Sequence, residues 1–279
     1  MTRYLAVLIW PVGLAVIFAA AWLLARRAPA EPDRGPGSTL RRGTHRAAGA
    51  DSAEEAVMGG IKLAFIAGVG TVAAFGVMCL LGLLVVYHGL AIDRPVLHWV
   101  TGHQVHAMAA LMNRLTKIGD TWTAWGAAAA AAVCLAGTWR TKRWVPPVAL
   151  ASAIFLDHYA TQALRHVFHR LGPPTSPLGT YPSGGVDRCI VFYGLIAYLL
   201  WREFSGQQRT AIWAGAVVAA LGFNEAYSRV YLSLHWFTDA LSGLVYGILL
   251  LAAFVVAVRS VAGRTAAVGV VPVAGGSLA

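Results

Sequence analysis

The chain has 279 residues, of which 58% are hydrophobic and 12% charged, with a mean hydropathy of +0.63. These values exclude a soluble domain and point to an all-α, polytopic membrane bundle. The formal charge of +10 suits cytoplasmic loops that face anionic lipid. No basic run is interleaved with aromatics in the manner of a nucleic-acid surface.

A helix needs roughly 20 apolar residues to cross the hydrocarbon. Seven stretches answer to this, at about 4–25, 62–90, 121–139, 145–168, 186–203, 210–228 and 236–258. The first could serve as a signal peptide, but its basic pair, Arg26 and Arg27, follows the apolar run instead of preceding it. A retained helix (1–27) with its N terminus outside is the expectation. Residues 28–58 are rich in Pro, Gly, Ser and charge, with Arg34, Arg41, Arg42 and Arg46. They read as a disordered cytoplasmic linker, with a short helix near Ser52-Ala53-Glu54-Glu55. A link from this linker to a partner or to anionic lipid is plausible on its charge.

Between Asp93 and Lys117, Val96, Leu97, Val100, Val105, Met108, Leu111, Met112 and Leu115 recur at threes and fours. This predicts an amphipathic helix on the outer surface, either a wall beside a lipid entrance or ordinary packing. Arg140, Lys142 and Arg143, then Arg202 and Arg209, then Arg259 and Arg264 make every second loop basic. Those loops are assigned to the cytoplasm, and the loops near 91–120, 169–185 and 229–235 to the outside. Residues 261–279 read as a flexible tail. Cys79, Cys134 and Cys189 lack metal-ligand spacing and read as small apolar fillers.

Chemistry concentrates in Ser228-Arg229-x5-His235-x3-Asp239. Arg229 can hold phosphate oxygens with a planar fork. His235 can attack phosphorus. Asp239, one helical turn on, can accept the other imidazole N–H, and Ser228 can donate one more hydrogen bond. The spacing resembles the third signature of the type 2 phosphatidic acid phosphatase (PAP2) superfamily. Over roughly 60–258 the chain is similar to that family, which implies a six-helix core (59–260) plus one extra N-terminal helix.

The family's P-S-G-H motif aligns with Pro182-Ser183-Gly184-Gly185, so Ser183 and Gly184 are expected phosphate contacts at a helix N-terminus. The fourth position, a His that protonates the leaving alkoxide in the family, is Gly185 here. The K-x6-R-P motif aligns with Arg165, Gly172 and Pro173, which loses one cation; Arg170 or Arg188 are candidate replacements.

His158, Gln162, Arg165 and His169 share one helical stripe, which makes His169 the expected replacement acid. His166 lies off that stripe, and Asp187 would serve only with a raised pKa. Asp157 and His158 are expected to pair inside the bundle.

The resemblance implies hydrolysis of a lipid phosphate or polyprenyl diphosphate through a phosphohistidine at the outer face of the plasma membrane. It implies no metal or other cofactor, and no nucleic-acid partner. The missing acid tilts the expectation toward a diphosphate, whose phosphate leaving group needs less protonation. The alternatives are a transferase using the same intermediate, or an altered protein that binds or translocates lipid phosphates.

Overall fold

The computed structural model describes residues 5–28, 53–139, 142–174, 176 and 180–262. Most of the expected linker and tail, with Arg34, Arg41, Arg42, Arg46 and Arg264, lies outside the described residues, as does Arg140. The described chain is a helical bundle. Its helices are α1 (Leu5–Arg27), α2 (Ala53–His88), α3 (Leu90–Gly102), α4 (His106–Leu115), α5 (Thr121–Thr138), α6 (Val145–Phe168), α7 (Gly184–Leu200), α8 (Gln208–Tyr231) and α9 (Phe237–Ala262).

Helix α2 starts inside the segment expected to be linker. Glu54 and Glu55 in its first turn complement the positive end of the helix dipole, which favours a start there. Further along, α2 exposes Phe65, Val72, Leu80 and Leu84 while burying Leu63, Ala67, Ala74 and Met78. Large apolar groups outside suit lipid contact, and Ala67 and Ala74 inside let neighbouring helices approach closely.

Among the described residues, α1, α2, α7 with its π-turn to Ser205, and α9 are long and apolar enough to cross a membrane. Helices α6 and α8 carry buried polar groups, including Asp157, Asn224 and Glu225, that lower their average hydropathy. Helix α7 is the hub, packing on α5, α6, α8 and α9, and α2 lies along α9. Helix α1 packs along α8: Trp10 Nε1 donates to Asn224 Oδ1 at 3.1 Å, and Tyr227 Oη donates to the Ala6 carbonyl.

The single amphipathic helix expected over 93–117 is instead two, α3 and α4, followed by a 3₁₀ turn at Thr116–Gly119. The break at residues 103–105 is fastened to the end of α8. Gln104 Nε2 donates to the Tyr231 carbonyl at 2.5 Å, and the Val105 N–H donates to Tyr231 Oη at 2.8 Å. These bonds satisfy backbone groups that the interrupted helix leaves open. The apolar spacing continues through the break, so periodicity does not reveal it.

The bundle's two ends differ. At one, Lys142 pairs with Glu55 at 3.2 Å and Arg202 Nη2 donates to the Ala262 carbonyl at 2.8 Å. At the other, the C-terminal ends of α6 and α8 meet the N-terminal ends of α7 and α9.

Candidate active site

Helix α7 opens on Ser183, whose carbonyl accepts from the Val186 and Asp187 N–H groups at 3.1 and 3.2 Å. The Ser183 hydroxyl is fully buried and has no hydrogen-bond partner among the described residues. It therefore remains free for an anion at the positive end of α7.

Two glycines admit charge to this first turn. A Cβ on Gly184 would stand 2.7 Å from Arg165 Nη2 and 3.0 Å from Arg188 Nη1. A Cβ on Gly185 would stand 2.6 Å from Glu225 Oε1 and 2.9 Å from Arg229 Nη2. Three guanidinium groups thus converge on residues 184–185, from α6, α7 itself and α8. Arg165 keeps a buried Nε with no partner, while Arg188 Nε donates to the Gly119 carbonyl at 3.1 Å.

His235 lies in the short connection between α8 and α9. Its Nδ1 is 3.1 Å from the Thr180 carbonyl. A carbonyl can only accept, so Nδ1 carries the proton and Nε2 keeps its lone pair. Burial, reinforced by the Arg229 and Arg165 guanidinium groups, pushes the imidazole pKa down to about 3. The ring is therefore neutral and nucleophilic at ordinary pH.

The expected orienting bond from His235 to Asp239 is corrected by this geometry. Asp239 Oδ2 accepts from the Thr180 hydroxyl at 2.5 Å, and Oδ1 is held by Arg170. Asp239 reaches the imidazole only at one remove, through Thr180.

Arg170 is likewise corrected as a phosphate ligand. It is buried between Asp239 and Asp93, with Nη2 2.5 Å from Asp93 Oδ2. Asp93 also accepts from the Thr238 N–H at 2.9 Å and the Thr238 hydroxyl at 2.7 Å, capping α9. Two carboxylates neutralise this guanidinium, so its role is to join α3, the 170–180 loop and α9.

Ser228 donates within its own helix, to the Glu225 carbonyl at 2.9 Å, not toward the α7 terminus. His169 does not continue the α6 stripe. The helix ends at Phe168, His169 turns into the left-handed region (φ 42°), and it lies exposed with its ring centroid 5.0 Å from that of His166. Arg229 is aimed inward, but Glu225 Oε1 holds its Nε at 2.6 Å and Asp120 Oδ1 holds its Nη2 at 2.9 Å.

Sequence reasoning missed Glu225, Asp93, Thr180 and Asp120. Glu225 had a signal: it precedes Arg229 by one helical turn, and a carboxylate there is costly unless used. Thr180 had none, because only the fold brings its carbonyl to His235. Among the described residues no three His, Cys, Asp or Glu side chains gather as metal ligands.

No family model matches the chain. It is 26% identical over 118 residues to the protein named "Putative undecaprenyl-diphosphatase YbjG" of Escherichia coli (strain K12). That alignment covers 39% of this chain and 54% of the relative, so the chain spans about half the length of the curated relative it matches. In structure the chain is similar to the first transmembrane PAP2 type phosphatidylglycerolphosphate phosphatase from Bacillus subtilis, with a TM-score of 0.62 and 18% identity. The superposition covers 70% of this chain and 98% of that one, a likeness of fold.

Proposed function

This multi-pass membrane protein has the PAP2-type transmembrane fold, and on that premise we propose that it is a lipid phosphatase. Its substrate is a lipid phosphate monoester or a polyprenyl diphosphate. His235 Nε2 attacks phosphorus and forms a phosphohistidine, which water then cleaves. Arg165, Arg188, Arg229, the Ser183 hydroxyl and the first N–H groups of α7 hold the phosphoryl oxygens. Asp239 is a positioning residue acting through Thr180.

The observation that carries this reading is the imidazole: Nδ1 tied to the Thr180 carbonyl, Nε2 free, and protonation suppressed by burial. The site lies at the end of the bundle opposite the Lys142–Glu55 pair. With the basic loops in the cytoplasm, it opens on the extracytoplasmic face of the plasma membrane. The core at 59–260 carries the chemistry, and α1 is an accessory helix.

A second reading, binding or transfer of lipid phosphates without hydrolysis, draws support from Arg229, which already carries two carboxylate partners. Phosphate release by purified protein from phosphatidic acid and from polyprenyl diphosphate separates the readings. Release that disappears in His235→Ala supports the phosphatase. Equal release by the variant rejects it.

A further inference from the structure

We propose that Glu225 is the general acid of this site, the group that gives its proton to the departing oxygen. This rests on the phosphatase reading above. Nucleophilic attack by His235 expels an oxygen, and an alkoxide departs slowly without a proton. His235 cannot supply one, since its Nδ1 proton is committed to Thr180 and its Nε2 becomes bonded to phosphorus. The arginines hold their protons too tightly to donate. His169 is exposed and beyond the end of α6.

Glu225 stands beside the converging guanidinium groups. Its carboxyl is fully buried and sits where a side chain at position 185 would have to go, with Oε1 2.6 Å from a Gly185 Cβ. Gly119 covers the other side: a Cβ there would lie 2.5 Å from Glu225 Cδ. Two glycines on different elements thus leave room for one carboxyl group. Its Oε1 accepts from Arg229 Nε at 2.6 Å and from the Thr116 hydroxyl at 3.1 Å. Its Oε2 is buried with no partner.

A protonated carboxyl keeps both Oε1 bonds and turns Oε2 into a donor, which gives the orphaned atom a use. The charged and titratable groups around it are Arg229, Asp120 beyond that guanidinium, and Cys189, Tyr193, Arg188 and Asp187 on α7. Two other buried carboxyls have open oxygens and face Arg165 and Arg188: Asp187, whose Oδ2 accepts from Thr161, and Asp157, with neither oxygen bonded among the described residues.

The step balances as follows. The Nε2 lone pair forms the N–P bond, the P–O bond to the leaving group breaks, and its electron pair takes the Oε2 proton. For a monoester the products are an alcohol, a phosphohistidine and a Glu225 carboxylate; for a diphosphate the alcohol is replaced by the lipid monophosphate. In the second half, that carboxylate takes a proton from water as the water oxygen bonds phosphorus and the N–P pair returns to Nε2.

The test compares octyl phosphate, whose alkoxide needs a proton, with p-nitrophenyl phosphate, whose phenolate does not. Both are assayed with detergent-purified wild type, Glu225→Gln and Glu225→Asp. The expected result for Glu225→Gln is a fall of about 100-fold or more on octyl phosphate, with less than about tenfold on p-nitrophenyl phosphate. Glu225→Asp is expected to retain more octyl phosphate cleavage than the Gln variant. Parallel loss of both substrates in Glu225→Gln overturns the proposal and makes Glu225 a positioning residue for Arg229. If the Gln variant does not fold, the wild-type pH profile decides. A decline toward high pH on octyl phosphate that is missing on p-nitrophenyl phosphate supports the proposal, and matching profiles overturn it. A wild type that cleaves neither of these substrates, nor phosphatidic acid, nor polyprenyl diphosphate, fails the phosphatase reading itself.

Discussion

Thr180 and Asp239 are bound hydroxyl to carboxylate at 2.5 Å, and the carbonyl of the same threonine sits 3.1 Å from His235 Nδ1. One residue thus converts a buried carboxylate into control over the direction of an imidazole. Thr180→Val removes the hydroxyl and keeps the carbonyl. A bond to a charged acceptor contributes about 1.5–3 kcal/mol, so kcat is expected to fall at least tenfold, with KM little changed. Initial rates of phosphate release across substrate concentration check this.

Asp93 and Arg170 are expected to matter first for stability. Asp93→Ala leaves the buried Arg170 with one carboxylate and uncaps α9. Removing one partner of a buried ionic group costs about 3–5 kcal/mol. Thermal unfolding in detergent is expected to drop for Asp93→Ala and for Arg170→Met, and less for Asp93→Asn, which preserves shape.

The low imidazole pKa, about 3 against 6.5 for the free side chain, makes a directional pH prediction. Between those values the unfolded chain binds a proton at His235 that the folded chain refuses. The folded state is therefore favoured fully above pH 6.5 and progressively less as pH falls toward 3. His235→Gln is expected to flatten that part of the stability–pH curve. In ¹⁵N-histidine NMR at pH 5, the His235 ring is expected to remain neutral with its proton on Nδ1.

Placing a histidine at position 185 is expected to fail. In Gly185→His the new Cβ meets Glu225 Oε1 and Arg229, and overpacking of this kind costs about 1–3 kcal/mol. Lower melting temperature and lower activity than wild type are the expected pair of results. A gain in activity would contradict the assignment of this space to Glu225.

His169→Ala is expected to change phosphate release by no more than about twofold, as for an exposed position away from buried networks. A large loss would return His169 to the candidates for proton donor.

The sequence carried the fold because lipid imposes long apolar runs and the polar residues punctuate them. It carried His235 and Arg229 because they share one short, chemically specific segment, and Ser183 because it belongs to a separate Pro-Ser-Gly turn before an apolar run. It misplaced Arg170 and His169 because each lies just past the end of α6, where one left-handed residue redirects the chain and helical-wheel reasoning stops applying. Asp93 was hidden in a stripe read as surface. Thr180 was invisible because its part is played by a backbone carbonyl, which every residue possesses. Helical spacing pairs Asp239 with His235, but His235 precedes the start of α9, and Arg170 and Thr180 take the Asp239 oxygens.

The clamp that Asp93 places on Arg170 and Thr238 has a consequence for where this protein works. Helix α3, which carries Asp93, exposes Ile92 and Trp99, side chains suited to the headgroup boundary. Thinner or thicker bilayers displace such a helix vertically. Asp93, Arg170 and Asp239 form a continuous chain of contacts from α3 to Thr180, the threonine that aims the proposed nucleophile. Turnover in vesicles is therefore expected to peak at one acyl-chain length, making hydrocarbon thickness a setting of the chemistry.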